Sequence, residues 1–458
     1  MAGAGGFDSG DLTGYAFAPH SPVMRSTLAH KIPVWAVLTT LAGCVGYRPA
    51  PLPSTPSLAP ALSASAPLSL TEVAALAVQR DPDLVAARAQ HGIAEAQLLA
   101  AGTPPDPSIS GGFAALLSGP ATMSAISGSL VQDISALITY VPEKAAARAG
   151  LAQVDAGILW QEWQVAAQAE QLCVTLTSDR ATLASLRADT AALSGLDRAT
   201  QAQMAAGNLT LADTSASATA LANVQSALDA ASQGYARDLD QLDALLGLAP
   251  GVEVNLAPPR LSPVPVDVAQ RAIATLPERR PDLIALRYGY TQADEKLRAA
   301  IWSQFLPVSL GASGGRDTSG VVSAGPQVTL TLPLFNRNRP AIATAEATRS
   351  ALRAQYAASL DSATAGAEAL VQDITLLRGQ AQAADAAAAQ AQSAAADARR
   401  AFAAGALNAR TETDLITAAG ERTRTAISLR TQVQTAELSL ATLLGLGLPP
   451  ISPQEPTR

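Results

Sequence analysis

Aromatic side chains are scarce in this chain: six Phe, seven Tyr and four Trp make up 4% of its 458 residues. A core built on aromatic packing is therefore excluded. Alanine is abundant instead, notably across residues 383–404, and alanine favours helices that pack closely through small side chains. The composition predicts a mostly helical protein.

Charged residues are also few, at 15% of the chain, against about 25% in typical soluble domains. With 48% apolar residues, this low charge excludes a disordered chain. The net charge is −7 and no run of Lys and Arg occurs, which argues against nucleic-acid binding.

Two cysteines and three histidines, without a CxxC or HExxH motif, argue against a structural zinc site and a disulfide framework. Cys173 lies in a helical pattern and is predicted to be a buried, small apolar residue. No nucleophile–base set or phosphate-binding loop is present, so we predict no metal, no cofactor, no catalytic residue and no enzyme.

The N-terminal residues have the pattern of an export signal. Arg25, His30 and Lys31 precede an apolar stretch over residues 32–41, which is shorter than the roughly 20 residues of a membrane-spanning helix. The stretch ends in Leu41, Ala42, Gly43 and Cys44, which resemble a bacterial lipobox. The resemblance implies cleavage before Cys44 and anchoring by lipidation of its thiol. A short hydrophobic helix with an incidental cysteine is the alternative.

Residues 1–23 do not fit a signal peptide, because they contain Asp8 and Asp11 but no Lys or Arg. We therefore predict a non-native extension over 1–23, a lipoprotein signal over 24–43 and a proline-rich tether over 44–67. Val45 stands where Asp commonly signals retention in the inner membrane, which favours the outer membrane.

The rest of the chain consists of two similar repeats. Residues 81–84 (Asp-Pro-Asp-Leu) recur as residues 280–283 (Arg-Pro-Asp-Leu), and the Leu-Leu-Gly-Leu of 245–248 recurs at 443–446. Near-constant offsets of this kind indicate an internal duplication. We predict a first repeat over 68–250, a second over 265–449 and a tail over 450–458.

Each repeat has the same predicted layout. A helix that begins with Pro and Asp is followed by β-strands, a long helix, a break at glycine and a returning helix. The strands are predicted within about 104–137 and 305–335. The long helices are predicted at about 143–205 and 339–403, and the returning helices at about 210–246 and 408–444. The returning helix of the first repeat has apolar residues spaced by three or four, which predicts an antiparallel helical hairpin.

The clearest strand pattern lies in residues 327–335. Apolar residues at 328, 330, 332 and 334 alternate with Thr329, Thr331 and Pro333, as in a membrane β-barrel strand. A half-buried sheet in a soluble domain is the alternative. Four strands cannot close a barrel, since about eight are needed, so a barrel would be shared between subunits.

These features resemble the TolC-like outer-membrane efflux proteins, over essentially residues 68–449. The most specific segments are Glu278, Arg279, Arg280, Pro281 and Asp282, and then Pro333, Leu334, Phe335, Asn336 and Arg337. The second segment is similar to the strand-to-helix junction of the heavy-metal efflux members of the family.

The resemblance implies a mixed α/β membrane protein, mostly α, that forms a homotrimer. Four strands from each chain would form a twelve-stranded outer-membrane β-barrel, and the helical hairpins would continue it as an α-barrel. The partners implied are a periplasmic adaptor protein, an inner-membrane pump, often of the resistance-nodulation-division class, and outer-membrane lipid. Such a protein is a passive exit duct.

The resemblance also implies two functional regions. The turns at the hairpin tips would contact the adaptor: Gly207, Asn208, Leu209 and Thr210, with Gly405, Ala406, Leu407 and Asn408. Plain turns without a partner are the alternative. Asp414 would form a ring of like charge at a periplasmic constriction, which favours cations. Its alternative is a solvated helix charge, and Ala216 at the matching position of the first repeat implies a single ring.

Three functions remain open from the sequence. The first is an efflux duct for drugs or metal ions, with the junction motif favouring metals. The second is a duct of a type I protein secretion system. The third is a lipid-anchored coiled-coil structural protein without a pore.

Overall fold

The computed structural model describes residues 47–62, 66–119, 123–305, 308–332 and 334–447. The predicted extension 1–23, the signal 24–43 with its lipobox, Cys44, Pro333 and the tail 450–458 lie outside these ranges. Residues 47–56 form a separate unit that contains neither helix nor strand.

The remaining described residues contain four strands and nine helices in two repeats of the same order. The first repeat contains α1 Leu70–Arg80, α2 Pro82–Ala101, β1 Ser108–Ala114, β2 Ala125–Asp133, α3 Ile134–Ala205 and α4 Leu211–Leu245. The second contains α5 Val266–Ala274, α6 Leu276–Arg279, α7 Pro281–Trp302, β3 Val308–Arg316, β4 Val322–Leu330, α8 Arg339–Ala403 and α9 Ala409–Leu443. The predicted mostly helical, duplicated fold is confirmed. No helix among the described residues is both long enough and apolar enough to cross a membrane.

The duplication extends to the hydrophobic core. One cluster lies among α1, α3 and α4, and a second lies among α5, α6, α8 and α9. Buried residues occupy matching positions in the two clusters: Val73 and Ala272, Ala77 and Leu276, Ala169 and Ala367, Leu176 and Ile374, Leu242 and Leu440, Leu246 and Leu444. Equivalent residues therefore form the core of both repeats, although Val73 corresponds to Ala272 and Ala77 to Leu276.

The four strands form one antiparallel sheet in the order β1-β2-β3-β4. The pairing of β2 with β3 joins the two repeats, and β1 and β4 are the sheet edges. The prediction of a strand up to Phe335 was wrong: β4 ends at Leu330. Proline at 333 has no N–H to offer a ladder, and Arg337 and Asn338 adopt left-handed φ angles of 43° and 58°, which an extended strand cannot accommodate.

The first long helix also begins earlier than predicted. The helix α3 starts at Ile134 directly after β2, because the Asp133 side chain accepts hydrogen bonds from the backbone N–H groups of Ser135 (2.9 Å) and Ala136 (3.4 Å). Pro142 lies inside this helix.

Two different contacts hold the junctions between sheet and long helix. In the first repeat, the Tyr140 hydroxyl donates to the carbonyl of Gly102 at the end of α2 (2.7 Å). In the second, the Asn338 amide donates to the carbonyl of Ala300 near the end of α7 (2.8 Å). The Tyr140 hydroxyl in the first repeat and the Asn338 amide in the second therefore have the same role. Each links the long helix to the end of the helix that precedes the sheet.

Small residues let α3 pack closely against α7. A Cβ placed on Gly150 would overlap the Gln292 amide, and one placed on Gly289 would lie 3.1 Å from the Gln153 side chain. The α3 residues Ala146, Ala149 and Ala156 are buried along the same stretch of helix. Each glutamine therefore occupies the space that a glycine on the opposite helix leaves open.

Polar contacts tie α3 to α9. The Trp163 indole donates to the carbonyl of Thr442 (3.0 Å), and the Thr431 hydroxyl donates to Ser178 (2.7 Å). Nearer the hairpin tips, Arg424 pairs with Asp189 at 2.6 Å, and both side chains are largely buried. Gly420 makes room for this pair, since a Cβ there would overlap the Asp189 carboxylate.

Gly420→Ala should therefore destabilise the protein by about 2–4 kcal/mol, because it breaks a buried ion pair or forces the helices apart. The measurement is the unfolding midpoint of the purified protein. Gly379→Ala on α8 is the matched control, since a Cβ there meets nothing within 4 Å; it should leave stability unchanged or raise it by up to about 1 kcal/mol. Equal midpoints for the two variants would contradict the role assigned to Gly420.

Candidate functional site

The register of the sheet gathers its apolar side chains on one face. Directly paired residues share a face, and Ile109 pairs with Leu130, Phe113 with Ile126, and Leu310 with Val328. The apolar face contains Ile109, Phe113, Ile126, Leu130, Val308, Leu310, Ala312, Val322, Ala324, Pro326, Val328 and Leu330, with glycines at 111, 128 and 314. Most of the large side chains are exposed; Ile109 is 82% and Val322 is 75% accessible. The only polar members are Gln132 and Arg316, at opposite ends of the face.

The side chains on the other face of the sheet are mostly small or polar. Its residues are Ser108, Ser110, Gly112, Ala114, Ala125, Ser127, Ser129, Val131, Asp133, Ser309, Gly311, Ser313, Gly315, Ser323, Gly325, Gln327 and Thr329. Strands of nine residues rise roughly 30 Å, which equals the thickness of a bilayer hydrocarbon core. The sheet is therefore suited to separate hydrocarbon from water.

The two hairpin tips have identical backbone hydrogen bonds. Gly207 donates to the carbonyl of Met204 and Asn208 to that of Gln203, both at 2.9 Å. In the second repeat Gly405 donates to Phe402 and Ala406 to Ala401, at 2.9 and 2.8 Å. Both are Schellman turns, and their glycines have φ angles of 76° and 72°, where other residues are strained.

The predicted tip residues lie in these turns. Gly207, Asn208, Thr210, Gly405, Ala406 and Asn408 are exposed, and Leu209 and Leu407 are half-buried. The Asn408 side chain also caps α9 by accepting a hydrogen bond from the backbone of Thr411 (2.8 Å). An apolar cluster that includes Leu193, Leu196, Val224, Ala409 and Ile416 lies among α3, α4 and α9 and brings the two turns to one end of the hairpins.

Asp414 is exposed on α9 and makes no ion pair or hydrogen bond with a described residue. The neighbouring Glu412 is instead buried at 5% exposure, and its Oε2 atom lacks a hydrogen-bond partner among the described residues. Burial raises the pKa of Glu412, and the Arg399 guanidinium opposes this shift. Sequence reasoning missed Glu412, because the two acids lie in the same polar segment and only packing distinguishes them.

A second buried polar group lies near the tip of the first repeat. The Asp197 carboxylate accepts hydrogen bonds from Gln201 (2.6 Å) and from the Ser217 hydroxyl (3.0 Å). The Thr200 hydroxyl lies 3.2 Å from that of Ser217. The corresponding positions of α8 are Ala395 and Ala398, so this polar link between α3 and α4 has no counterpart in the second hairpin.

The segment 278–282 is a structural joint. The Arg280 guanidinium donates two hydrogen bonds to the Asp282 carboxylate (2.9 and 2.7 Å) and lies 4.8 Å from the centre of the Trp160 ring on α3. It also contacts the carbonyl of Leu443 at the end of α9. Pro281 begins α7 and is buried, while Glu278 is exposed and Arg279 donates to the Thr275 hydroxyl (3.1 Å). These residues join three helices and lie away from the tips.

Residues 334–337 of the second motif lie in the turn before α8. Leu334 and Phe335 are 70% and 100% exposed, and the Asn336 side chain accepts a hydrogen bond from the backbone of Asn338 (3.2 Å). Arg337 has a left-handed backbone. The motif therefore redirects the chain from the sheet into the long helix.

Cys173 is buried at 3% exposure, as predicted, and burial raises the pKa of its thiol to about 12. The thiol is thus protonated and inert. Within the described part of the chain, no group of three or more His, Cys, Asp or Glu side chains is arranged to hold a metal ion.

Replacement of Glu412 by Gln should stabilise the protein near pH 7.5. The raised pKa means that ionised Glu412 opposes folding, and this penalty disappears as the pH falls through the raised pKa toward its ordinary value of 4.5. Unfolding midpoints of Glu412→Gln and wild type should therefore differ at neutral pH and converge in acid. Glu421→Gln, which changes an exposed acid on the same helix α9, is the control and should leave the midpoint unchanged. A pH-independent gain in Glu412→Gln would contradict the role assigned to Glu412.

The sequence and the fold are both similar to those of known outer membrane proteins. Residues 272–446 match the model of the outer membrane efflux protein family, and no curated protein matches the sequence. The structure is similar to VceC of Vibrio cholerae, an outer membrane protein, with 18% identity and a TM-score of 0.69 over 82% of this chain and 96% of that one. The CmeC outer membrane channel of Campylobacter jejuni gives 15% identity and a TM-score of 0.72 over 83% and 86%. A membrane protein of Pseudomonas aeruginosa gives 20% and 0.70 over 88% and 99%.

The resemblance drawn from the motifs is thus confirmed. The matched family is one of outer membrane efflux proteins, and the matched residues include the joint at Arg280, the strands β3 and β4 and the second hairpin. Residues 272–446 have the sequence pattern of the outer membrane efflux protein family, and the described chain as a whole has the fold of outer-membrane channels such as CmeC.

Proposed function

We propose that this protein is the outer-membrane exit duct of an efflux system and that three copies of the chain close its pore. The sheet carries this proposal, because it has one apolar face, one small polar face and two unpaired edges. Open edges in hydrocarbon leave N–H and C=O groups without partners, so such a sheet must close. Three copies, the number that the family resemblance implies, supply twelve strands, above the minimum of about eight.

The internal duplication indicates how neighbouring copies meet. Within one chain, the first repeat contacts the second through α3 with α7, α3 with α9, and β2 with β3. The equivalent contacts at the outer sides of the repeats are α8 with α2, α8 with α4, and β4 with β1. None of these is a comparable contact within the described chain. A second copy can therefore repeat across the subunit boundary the packing that joins the repeats.

The exposed residues at these positions support this arrangement. On α8, Thr344, Ala347, Thr348, Ala351 and Ala354 are exposed. They match Ala146, Ala149, Gly150, Gln153 and Ala156 of α3, which α7 covers.

On α2, Val85 and Ile93 are 58% and 53% exposed, and they match Ile284 and Gln292 of α7. Small residues on α8 thus face apolar or longer ones on α2: Thr348 would meet Ile93 as Gly150 meets Gln292, and Ala351 would meet Gln90 as Gln153 meets Gly289.

The variant with Ile93→Cys and Thr348→Cys should be cross-linked between copies by a short bifunctional thiol reagent, because these positions match Gln292 and Gly150, and the Gln292 amide lies against Gly150. The reagent should give covalent trimers on a denaturing gel. The control combines Ile93→Cys with Arg353→Cys, because Arg353 lines a groove with α7 of its own chain. This control and the single-cysteine variants should run as monomers on the gel. Monomers from the first pair would contradict this interface.

The remaining parts of the proposal follow from the family. The exposed tips would contact a periplasmic adaptor, which bridges to an inner-membrane pump of the resistance-nodulation-division class, and lipidated Cys44 would anchor the chain. The cargo would be drugs or metal ions. Deletion of the gene should raise sensitivity to the cargo, and a panel of metals and drugs would identify which class is exported.

Asp414→Asn should reduce the cation selectivity of the pore, because three exposed carboxylates on one ring would be lost. Reversal potentials in a planar bilayer with a salt gradient measure this change. Asp361→Asn, an exposed acid on α8, is the control and should behave as wild type. Unchanged selectivity in Asp414→Asn would exclude the ring, whereas a folded trimer without conductance would exclude the duct itself.

A further inference from the structure

We propose that a groove between α7 and α8 is a binding site for a phosphate-type oxyanion. The groove has a volume of about 310 Å³ and is lined by Arg287, Tyr290, Thr291, Arg353 and Tyr356. It lies outside the sheet and the tips, so the inference is independent of the proposed duct.

The first repeat has the same groove with different chemistry. Between α2 and α3 lies a groove of about 300 Å³, lined by Arg88, His91, Asp155, Ile158, Leu159 and Glu162. Arg88 matches Arg287 and His91 matches Tyr290 at the offset of 199 residues, and Asp155 matches Arg353 and Ile158 matches Tyr356 at the offset of 198. The first groove is therefore an internal reference for the second.

The basic groups of the first groove are paired with acids of the same groove. The Arg88 guanidinium donates two hydrogen bonds to Glu162, at 2.9 and 2.6 Å. His91 Nδ1 lies 2.6 Å from Asp155 Oδ1, and this carboxylate raises the pKa of His91. Each basic side chain of the first groove thus has an acidic partner, so neither is available to pair with an anionic ligand.

The second groove has lost both acids. Arg353 replaces the aspartate, and Leu360 stands where Glu162 stands in the first repeat. The side chains of Arg287 and Arg353 form no ion pair or hydrogen bond with a described residue, and the nearby Asp294 is paired with Arg349 at 2.8 Å. Two arginines thus line one groove without a counter-charge.

The donors in this groove suit a multivalent oxyanion. Guanidinium groups bind phosphate through paired N–H donors, and the half-buried Tyr290 and Tyr356 line the same groove. A phosphate group has enough oxygens to accept from several such donors at once. A monovalent halide would satisfy few of them.

The position of the groove favours a soluble phosphate over a lipid headgroup. Helix α7 continues from Arg287 to Trp302 before β3 begins, and 15 residues of helix span about 22 Å. The groove therefore lies well below the end of the sheet nearest to it.

The test uses the full-length protein in detergent, titrated with sodium phosphate at constant ionic strength. We expect saturable binding by calorimetry and a rising unfolding midpoint, with sodium chloride inactive. Arg353→Asp restores the residue of the first repeat, places a negative charge in the groove and should weaken phosphate binding at least tenfold, and Arg353→Gln should weaken it less. Asp155→Asn in the first groove is the matched control and should bind phosphate like wild type.

A second arm distinguishes the source of the phosphate group. Phosphatidic acid, compared with phosphatidylcholine, is added to the micelles. If phosphatidic acid, but not phosphatidylcholine, displaces phosphate from wild type, the site holds and its ligand is a lipid headgroup. If wild type does not bind phosphate, or if Arg353→Asp binds it equally well, the proposal is overturned. Neither result bears on conductance, so failure here leaves the proposed duct standing.

Discussion

The close approach of α3 to α7 is the contact on which the architecture depends. Gln292 occupies the space above Gly150, and Gln153 occupies the space above Gly289, so each helix supplies both a gap and the side chain that fills the other gap. Glycine and alanine let the backbones approach, and the glutamines set how far the helices can slide. This contact joins the repeats below the sheet, as β2 and β3 join them within it.

Much of this fold follows from the sequence, because helices and repeats are encoded locally. The prediction of a helix over 339–403 agrees with α8 residue by residue, since proline marks its start and glycine its end. The start of α3 and the end of β4 were missed. Both are decided by local backbone events, the cap at Asp133 and the left-handed turn at Arg337 and Asn338, which hydrophobic patterns do not record. The two faces of the sheet also needed the strand register, because alternation within one strand cannot show which residues of its neighbours share a face.

The charges in the groove between α7 and α8 and the burial of Glu412 could not be predicted from the sequence, for a different reason. Arg88, Glu162, Arg287 and Arg353 lie far apart in sequence, and only the helix pairing reveals which charges meet. The duplication helps once the structure is available, because each repeat shows what the other has changed. The backbone turns at the two tips have the same hydrogen bonds, whereas the side chains around them differ. Asp197 and Ser217 join α3 to α4, and the second hairpin has Ala395 and Leu415 at these positions. Backbone geometry has been kept in both copies while the charges have diverged.

The two junctions between sheet and long helix have a mechanical consequence. In the first repeat, α3 follows β2 without a break, and the Tyr140 hydroxyl on α3 donates a hydrogen bond to Gly102 at the end of α2. In the second, eight residues separate β4 from α8, and the Asn338 amide joins the start of α8 to the carbonyl of Ala300 near the end of α7. In the proposed trimer, direct and turn-mediated junctions between sheet and long helix would alternate around the ring, three of each. A force applied at the tips would then reach the sheet through two different kinds of junction.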